Sequence, residues 1–459
     1  MDSWRREVRA HLRLAAPVVA IQIGLMMMGL VDTAFLGRVS ETDLAAVAVG
    51  DWWTFLLLSF GIGTLSALDP IVSQAWGARD RVAITRGLQR GLLLALVLSV
   101  PLGIIALWTE RTMLAMGQLP AVAATAGRYA TVLVASMPAF LLFVAVRQTL
   151  QAMHVLRPLL FVIVACNLLN AGLDWVLIFG HFGCPALGAV GSAWATVVSR
   201  WAMLGLLVFL AWPALRPYLS AYDRKVPALA PIGRMLALGA PVGGQFLIEI
   251  GAFGTVMVMM GTIGDVELSG HTVALKLASF SFMVPLGISM AASVRVGNAI
   301  GRGDHPGTKR AAKVALLGGA GVMLVFAAAF LLVPYPLARV FTDLPGVLAI
   351  AVVLLPLAGF FQVFDGIQVV ALGILRGSAD TRLPMLIHLA GFWLVGVPAA
   401  YLFGFALGHG PAGLWWGLVL ALAAVASTLL LRVRARFARA VARLRVEDEE
   451  TSVSHPTAP

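Results

Sequence analysis

The chain has 459 residues, of which 60% are hydrophobic and only 12% charged, with a formal net charge of +11. Soluble domains carry roughly 25% charged residues, so a water-soluble fold could not hide this much apolar surface. Apolar runs of about twenty residues or more exclude the alternating pattern of a membrane β-barrel and fit helices that cross a bilayer. The basic residues fall between these runs rather than on one domain, which excludes nucleic acid as a partner and reads as a topology signal.

In chain order, a basic segment 1–13 precedes an apolar run over 14–36 that is too long for the core of a signal peptide, so it predicts an uncleaved first span. Further spans are predicted over 45–68, 87–107, 129–151, 158–180 and 187–211. A proline-rich connection over 212–234 carries Pro213, Pro217, Pro227 and Pro231 at the midpoint of the chain. Six more spans follow at 235–260, 271–292, 312–334, 348–375, 384–406 and 411–432. The fold class is therefore an all-α polytopic membrane protein of about twelve helices. It divides into a six-span N-lobe over 14–211, a linker over 212–234, a C-lobe over 235–432 and a tail over 433–459. The arginines from 432 to 445 fit either a helix lying on anionic lipid or a solvated topology signal, and disorder is expected from Glu447.

Of 33 Lys and Arg residues, 26 fall on the side that carries both termini, while the other side holds only Arg38, Arg111, Arg128 and Arg339. This bias places both termini in the cytoplasm. Cys166 lies inside a span and Cys184 in the loop beyond it, and both read as free thiols.

The two halves repeat. At an offset of 224, Leu14, Ala16, Pro17 and Val18 fall on Leu238, Ala240, Pro241 and Val242. Gly37, Gly63, Gly77, Asp80 and Arg86 fall on Gly261, Gly287, Gly301, Asp304 and Arg310. Six spans separate equivalent positions, so the halves share one orientation and an axis along the membrane normal. Such halves commonly enclose a cavity and rock about it.

Ionised residues inside a bilayer are costly and persist where they are paired, hydrated or used. The intramembrane acids are Asp32, Asp51, Asp174, Glu249 and Asp365. Asp32 and Asp174 lie at similar depth in the outer half, with Asn170 one turn from Asp174 and Thr196 nearby in the sixth span. Two carboxylates, an amide and a hydroxyl suit a hard cation such as Na+, or a proton. Glu249 and Asp365 sit near the middle of their spans, each preceded by a glutamine on the same face, Gln245 and Gln362. These suit a coupling ion or an organic cation, unless Lys276 or Arg200 neutralises them. Asp51, beside Trp52 and Trp53, reads as interfacial, Asp69 as a residue that orients a loop, Arg147 as the partner of some acid, and His388 as packed.

In order along the chain, the sequence carries Pro17 and Gln22, Val31-Asp32-Thr33 and Gly37, Asn170, Asp174 and Gly180, then Ala240-Pro241, Gln245 and Glu249. It continues with Phe361-Gln362-Val363-Phe364-Asp365-Gly366, Gly373-Ile374-Leu375-Arg376-Gly377, Asp380-Thr381-Arg382 and Pro384. On these motifs the chain resembles the multidrug and toxic compound extrusion family, in its NorM-like branch. The resemblance implies a V-shaped pair of lobes in a bacterial-type inner membrane. It implies a monomer with no cofactor that exports drugs and organic cations in exchange for Na+ or H+. It also implies an N-lobe cation network of Asp32, Asn170, Asp174 and Thr196 and a C-lobe site at Glu249 and Asp365. A lipid-linked precursor flippase of the same superfold is the first rival, but intramembrane acids outnumber bases here, which favours cationic cargo. An intramembrane enzyme would need paired Asp-rich motifs or HExxH, and neither is present. A channel is disfavoured by the two-half design.

Overall fold

A backbone in hydrocarbon must satisfy its own polar groups, and each predicted apolar run folds as a helix. The computed structural model describes residues 2–220 and 222–446. The first half forms α1 (Asp2–Leu36), α2 (Glu41–Leu65), α3 (Leu68–Gly77), α4 (Arg81–Ala106), α5 (Thr109–Ala115), α6 (Pro120–Val134), α7 (Met137–Ala152), α8 (Arg157–Phe179) and α9 (Gly188–Leu219). The second forms α10 (Leu229–Ile263), α11 (Asp265–Gly301), α12 (His305–Leu332), α13 (Pro334–Arg339), α14 (Pro345–Gly377), α15 (Arg382–Leu389), α16 (Val397–Tyr401) and α17 (Gly410–Ala438). α15 and α16 belong to one span, joined through a wide π turn at Ala390–Gly396.

Among the described residues, eleven helical segments are long and apolar enough to cross a membrane, and α6 with α7, bent by 52°, counts as a twelfth if the pair is one span. The bend has a local cause. Pro138 enters the first turn of α7, and the Ser136 hydroxyl donates back to the Leu133 carbonyl at 2.7 Å. Phe209, Val258 and Leu332 are 75%, 70% and 79% exposed, as side chains facing lipid must be. Between such helices, adhesion comes from close packing of small residues rather than from the hydrophobic effect.

Several boundaries move from the sequence reading, and capping explains the clearest. α4 starts at Arg81 because the Asp80 carboxylate accepts the Ala83 N–H at 3.0 Å, and Asp304 repeats this cap on Gly307 at 2.8 Å. α9 runs through Pro213 and Pro217 to Leu219 and α10 starts at Leu229, so the connection between them is shorter than the predicted 212–234. The first turns of α4 clamp this connection. Arg86 pairs with Asp223 at 2.6 Å, and Arg90 donates to the Lys225 carbonyl at 2.8 Å. At the other end, α17 stays helical to Ala438, so the arginines up to 436 extend the last span instead of forming a separate surface helix. Residues from Glu447 onward, where disorder is expected, lie outside the described residues.

The repeat seen in the sequence becomes a geometric exchange of partners. Gly77 of α3 packs on the backbone of Asn298 in α11, and Gly301 of α11 packs on the backbone of Gln74 in α3. Gly63 packs on Gly243, while Gly287 packs on Val19. Each pair maps onto the other at the offset of 224. Gly297 faces Ser73, its own counterpart, so a pseudo-two-fold axis passes between them. Polar contacts are exchanged similarly, with the acceptors shifted to an offset of 225: the Gln74 amide donates to Gly377 O at 3.0 Å and the Asn298 amide to Ala152 O at 3.5 Å.

Among the described residues, the polar ties between the halves lie at the end of the bundle that carries both termini. Arg376 pairs with Asp69 at 3.5 Å, with both side chains buried. Asp69 is thus an inter-lobe tie and not a loop-orienting residue. Arg295 grips Glu7 with two hydrogen bonds of 2.9 and 2.6 Å. Beyond α17 the chain reaches back to the N-lobe, where Arg443 pairs with Asp80 at 2.7 Å and the Leu444 N–H donates to Gln74 Oε1 at 2.6 Å.

Candidate cation sites

The N-lobe site is assembled by three helices. Asp32 lies near the end of α1, Asn170 and Asp174 one turn apart on α8, and Thr196 on α9. α8 ends at Gly180 in the left-handed region, with φ of +77°, where a Cβ would also lie 2.7 Å from the Ala186 nitrogen. That reversal returns the chain so that Ser192 and Thr196 stand beside α8.

All four predicted residues meet. The Asn170 amide donates to Asp32 Oδ1 at 2.5 Å and to Asp174 Oδ2 at 2.8 Å, and Thr196 donates to Asp32 Oδ2 at 3.4 Å. All four are buried. Asn170 Oδ1, Asp174 Oδ1 and Ser192 Oγ have no hydrogen-bond partner. Orphaned buried polar atoms are costly, so a cluster with spare acceptors and two carboxylates lacks a positive group. Arg200, one turn beyond Thr196, makes no hydrogen bond or salt bridge with either acid, although its charge reaches Asp32. Its guanidinium donates to Ser136 Oγ at 2.9 Å and lies 4.8 Å over the Phe140 ring.

The C-lobe site joins α10 to α14. Glu249 and Asp365 are bridged by Gln368, whose amide donates to Glu249 Oε1 at 3.0 Å and to Asp365 Oδ1 at 3.2 Å. Asp365 is 3% and Gln368 0% exposed, and Gln368 Oε1 has no partner. Among the described residues no lysine or arginine pairs with either carboxylate, and Lys276 is exposed. Both sites offer oxygen ligands. Oxygen ligands of this kind are those a hard cation takes, and a carboxylate can equally take a proton.

The MatE family model matches residues 17–176 and 241–402, once in each half. The chain belongs to the MatE family. It is 36% identical to a probable multidrug resistance protein NorM of Rhizobium meliloti, over 93% of each chain. A protein of the same name from Mesorhizobium japonicum is 37% identical over 94% of each. Among solved structures, the eukaryotic MATE transporter AtDTX14 superimposes with a TM-score of 0.85 at 22% identity, covering 95% of this chain and 99% of that one. That likeness is one of fold. The expected all-α, two-lobe fold and the family resemblance are thereby established, and the MatE proteins are transporters rather than enzymes.

Two residues expected near the C-lobe acids of this MatE chain point elsewhere. Gln245 donates to the Thr381 carbonyl at 3.1 Å, tying α10 to the turn after α14. Gln362 donates to Ser281 Oγ on α11. Gln368 takes their place at the carboxylates. It stands one turn after Asp365 rather than one turn before, and i, i+3 neighbours on that side carry the same signal. Among the described residues Arg147 forms no salt bridge, and it donates to Gln22 Oε1 at 2.8 Å, with Asp69 the acid close enough for its charge to be felt. His388 is packed as expected, against Phe392.

Proposed function

We propose that this MatE chain is a secondary active efflux antiporter that exports lipophilic, mostly cationic small molecules in exchange for Na+ or H+ by alternating access. One observation carries the reading. The N-lobe buries Asp32 and Asp174 and the C-lobe sets a half-buried Glu249 beside a buried Asp365, each pair without a salt bridge to a cationic side chain among the described residues and with an unpartnered carboxamide oxygen beside it. Buried charge of this kind is stable only when something positive joins it. The multidrug resistance names of the relatives support drug efflux. The basic bias of one side supports an inner membrane with both termini in the cytoplasm. In that orientation the inter-lobe ties hold the cytoplasmic ends of the lobes together, as an outward-facing state requires.

The helices supply a route from ion to lobe movement. Glu249 lies six residues beyond Gly243, about 9 Å along α10 at the helical rise, and Gly243 packs on α2 of the other lobe. Asp365 shares α14 with Gly373 and Gly377, which pack on Ser289 and Ser293 of α11, the helix that crosses α3. A change in the spacing of the two carboxylates therefore moves the helices that form the inter-lobe crossings. Ion and drug must weaken each other's binding, by the same factor in each direction.

Efflux of a fluorescent lipophilic cation from cells tests this. Asp32→Asn and Glu249→Gln should abolish or weaken efflux at unchanged expression. Normal efflux in every single variant, including those of Asp174 and Asp365, would falsify the proposal.

A further inference from the structure

We propose that Gln368 is a switching ligand: without Na+ its amide N–H group stands in for the cation between Glu249 and Asp365, and with Na+ the amide turns to present Oε1 as a third oxygen ligand. The inference rests on the C-lobe reading above and extends it. An amide donor spanning two carboxylates makes two charge-assisted hydrogen bonds, the nearest that a neutral side chain comes to a bound cation. Na+ cannot share the site with those hydrogens, because a hard cation takes oxygen ligands. The oxygen it needs is already there. Gln368 Oε1 is fully buried and unpartnered, on the same amide group as the nitrogen that bridges the acids. The two ends of a carboxamide are nearly equal in size, so a half-turn exchanges donor for acceptor without repacking the site.

The N-lobe supplies an independent parallel. Asn170 also bridges two carboxylates through its amide N–H group and leaves its carbonyl oxygen buried and unpartnered. The repeat does not explain this likeness. Gln368 lies on α14 and Asn170 on α8, and no offset near 224 superposes them. The same device stands at unrelated positions of one duplicated scaffold, which points to a shared chemical task rather than inherited packing.

The test is equilibrium binding of radioactive Na+ to the purified full chain, with gel filtration and thermal melting as checks of folding. Gln368→Leu removes donor and acceptor together and should weaken Na+ binding about 10–100-fold, the range for loss of a supporting group at a metal site. Gln368→Asn retracts the amide by one methylene and should fall between, which keeps the test alive if the leucine variant does not fold. Gln368→Glu keeps an oxygen but has no N–H, and should bind Na+ at least as tightly as the wild type. Wild-type affinity in Gln368→Leu, or loss of binding in Gln368→Glu equal to that in Gln368→Leu, overturns the proposal. Absence of Na+ binding by the wild type overturns it too and leaves proton coupling at the site. Unchanged Na+ binding in both Glu249→Gln and Asp365→Asn would instead sink the C-lobe reading itself.

Discussion

The crossing of α3 and α11 leaves no room for a side chain at two reciprocal positions. A Cβ added at Gly77 would lie 2.9 Å from the carbonyl carbon of Asn298 and closer to its oxygen, and one at Gly301 would lie 2.8 Å from the carbonyl carbon of Gln74. The obstacle in both cases is backbone, so no rotamer change relieves it. Overpacking of this kind costs about 1–3 kcal/mol. Here the cost falls on the contact between lobes, because each obstacle belongs to the opposite lobe. If the crossing must part during transport, Gly77→Ala and Gly301→Ala each shift the balance toward the state open at the terminus-bearing end, by roughly 5–150-fold. The assay places spin labels on cysteines replacing Phe182 and Leu344, exposed residues of the two lobes at the opposite end, after Cys166 and Cys184 are replaced by alanine. Short label distances should become more populated in both variants. Gly318→Ala, where a Cβ meets nothing within 4 Å, should leave the distances unchanged. Distances in Gly77→Ala and Gly301→Ala matching the wild type would refute the idea that this crossing holds the observed state.

Three further outcomes are expected. Asn170→Ala leaves Asp32 and Asp174 without their shared donor and should reduce efflux more than Thr196→Val, which removes only a bond of 3.4 Å; comparing initial efflux rates checks the order. Arg443→Ala breaks a partly exposed pair worth at most ~1 kcal/mol. Truncation after Arg439 also removes the Leu444 bond to Gln74 and the packing of Val441, Leu444 and Val446, so it should shift the spin-label distances further than Arg443→Ala does. Finally, the Arg86 guanidinium, with help from the Lys225 N–H, holds the Asp223 carboxyl below the usual carboxylate range. A depressed folded-state value means that the clamp's contribution is complete above the unfolded value of about 3.9 and is lost as pH falls through the folded one. Protease resistance of the 220–228 connection should therefore stay constant between about pH 5 and 8, while Arg86→Gln should lower it throughout that range.

Much of this architecture was legible in the residues, for identifiable reasons. Bilayer thickness sets span length, so twelve spans emerged from apolar runs, and the one that is broken in space, α6 with α7, still had the length of one span. Duplication showed because Gly, Pro, Asp and Arg recur at one offset, and those glycines became the exchanged contacts of the pseudo-two-fold axis. Asp32, Asn170, Asp174 and Thr196 could be grouped from depth and helical spacing. The C-lobe site was legible only in its carboxylates. Gln245, Gln362 and Gln368 all lie about one turn from a carboxylate, and spacing along one helix does not say which turn faces a neighbour. That depends on how α10, α11 and α14 pack. Asp69 was misread for the same reason, since its partner Arg376 comes from the other lobe, more than 300 residues away. The connection between the halves is shorter than its prolines suggest, because Pro213 and Pro217 lie within α9.

The central claim is that buried carboxylates in the lobes exchange a cation for drug. Its most direct test is drug transport by the purified chain in proteoliposomes, with an Na+ gradient or a pH gradient imposed separately and all else equal. We expect one of the two gradients to drive transport of a lipophilic cation, and that drive to be lost in Glu249→Gln combined with Asp32→Asn. Transport that ignores both gradients, or that persists under the driving gradient in the double variant, would contradict the account.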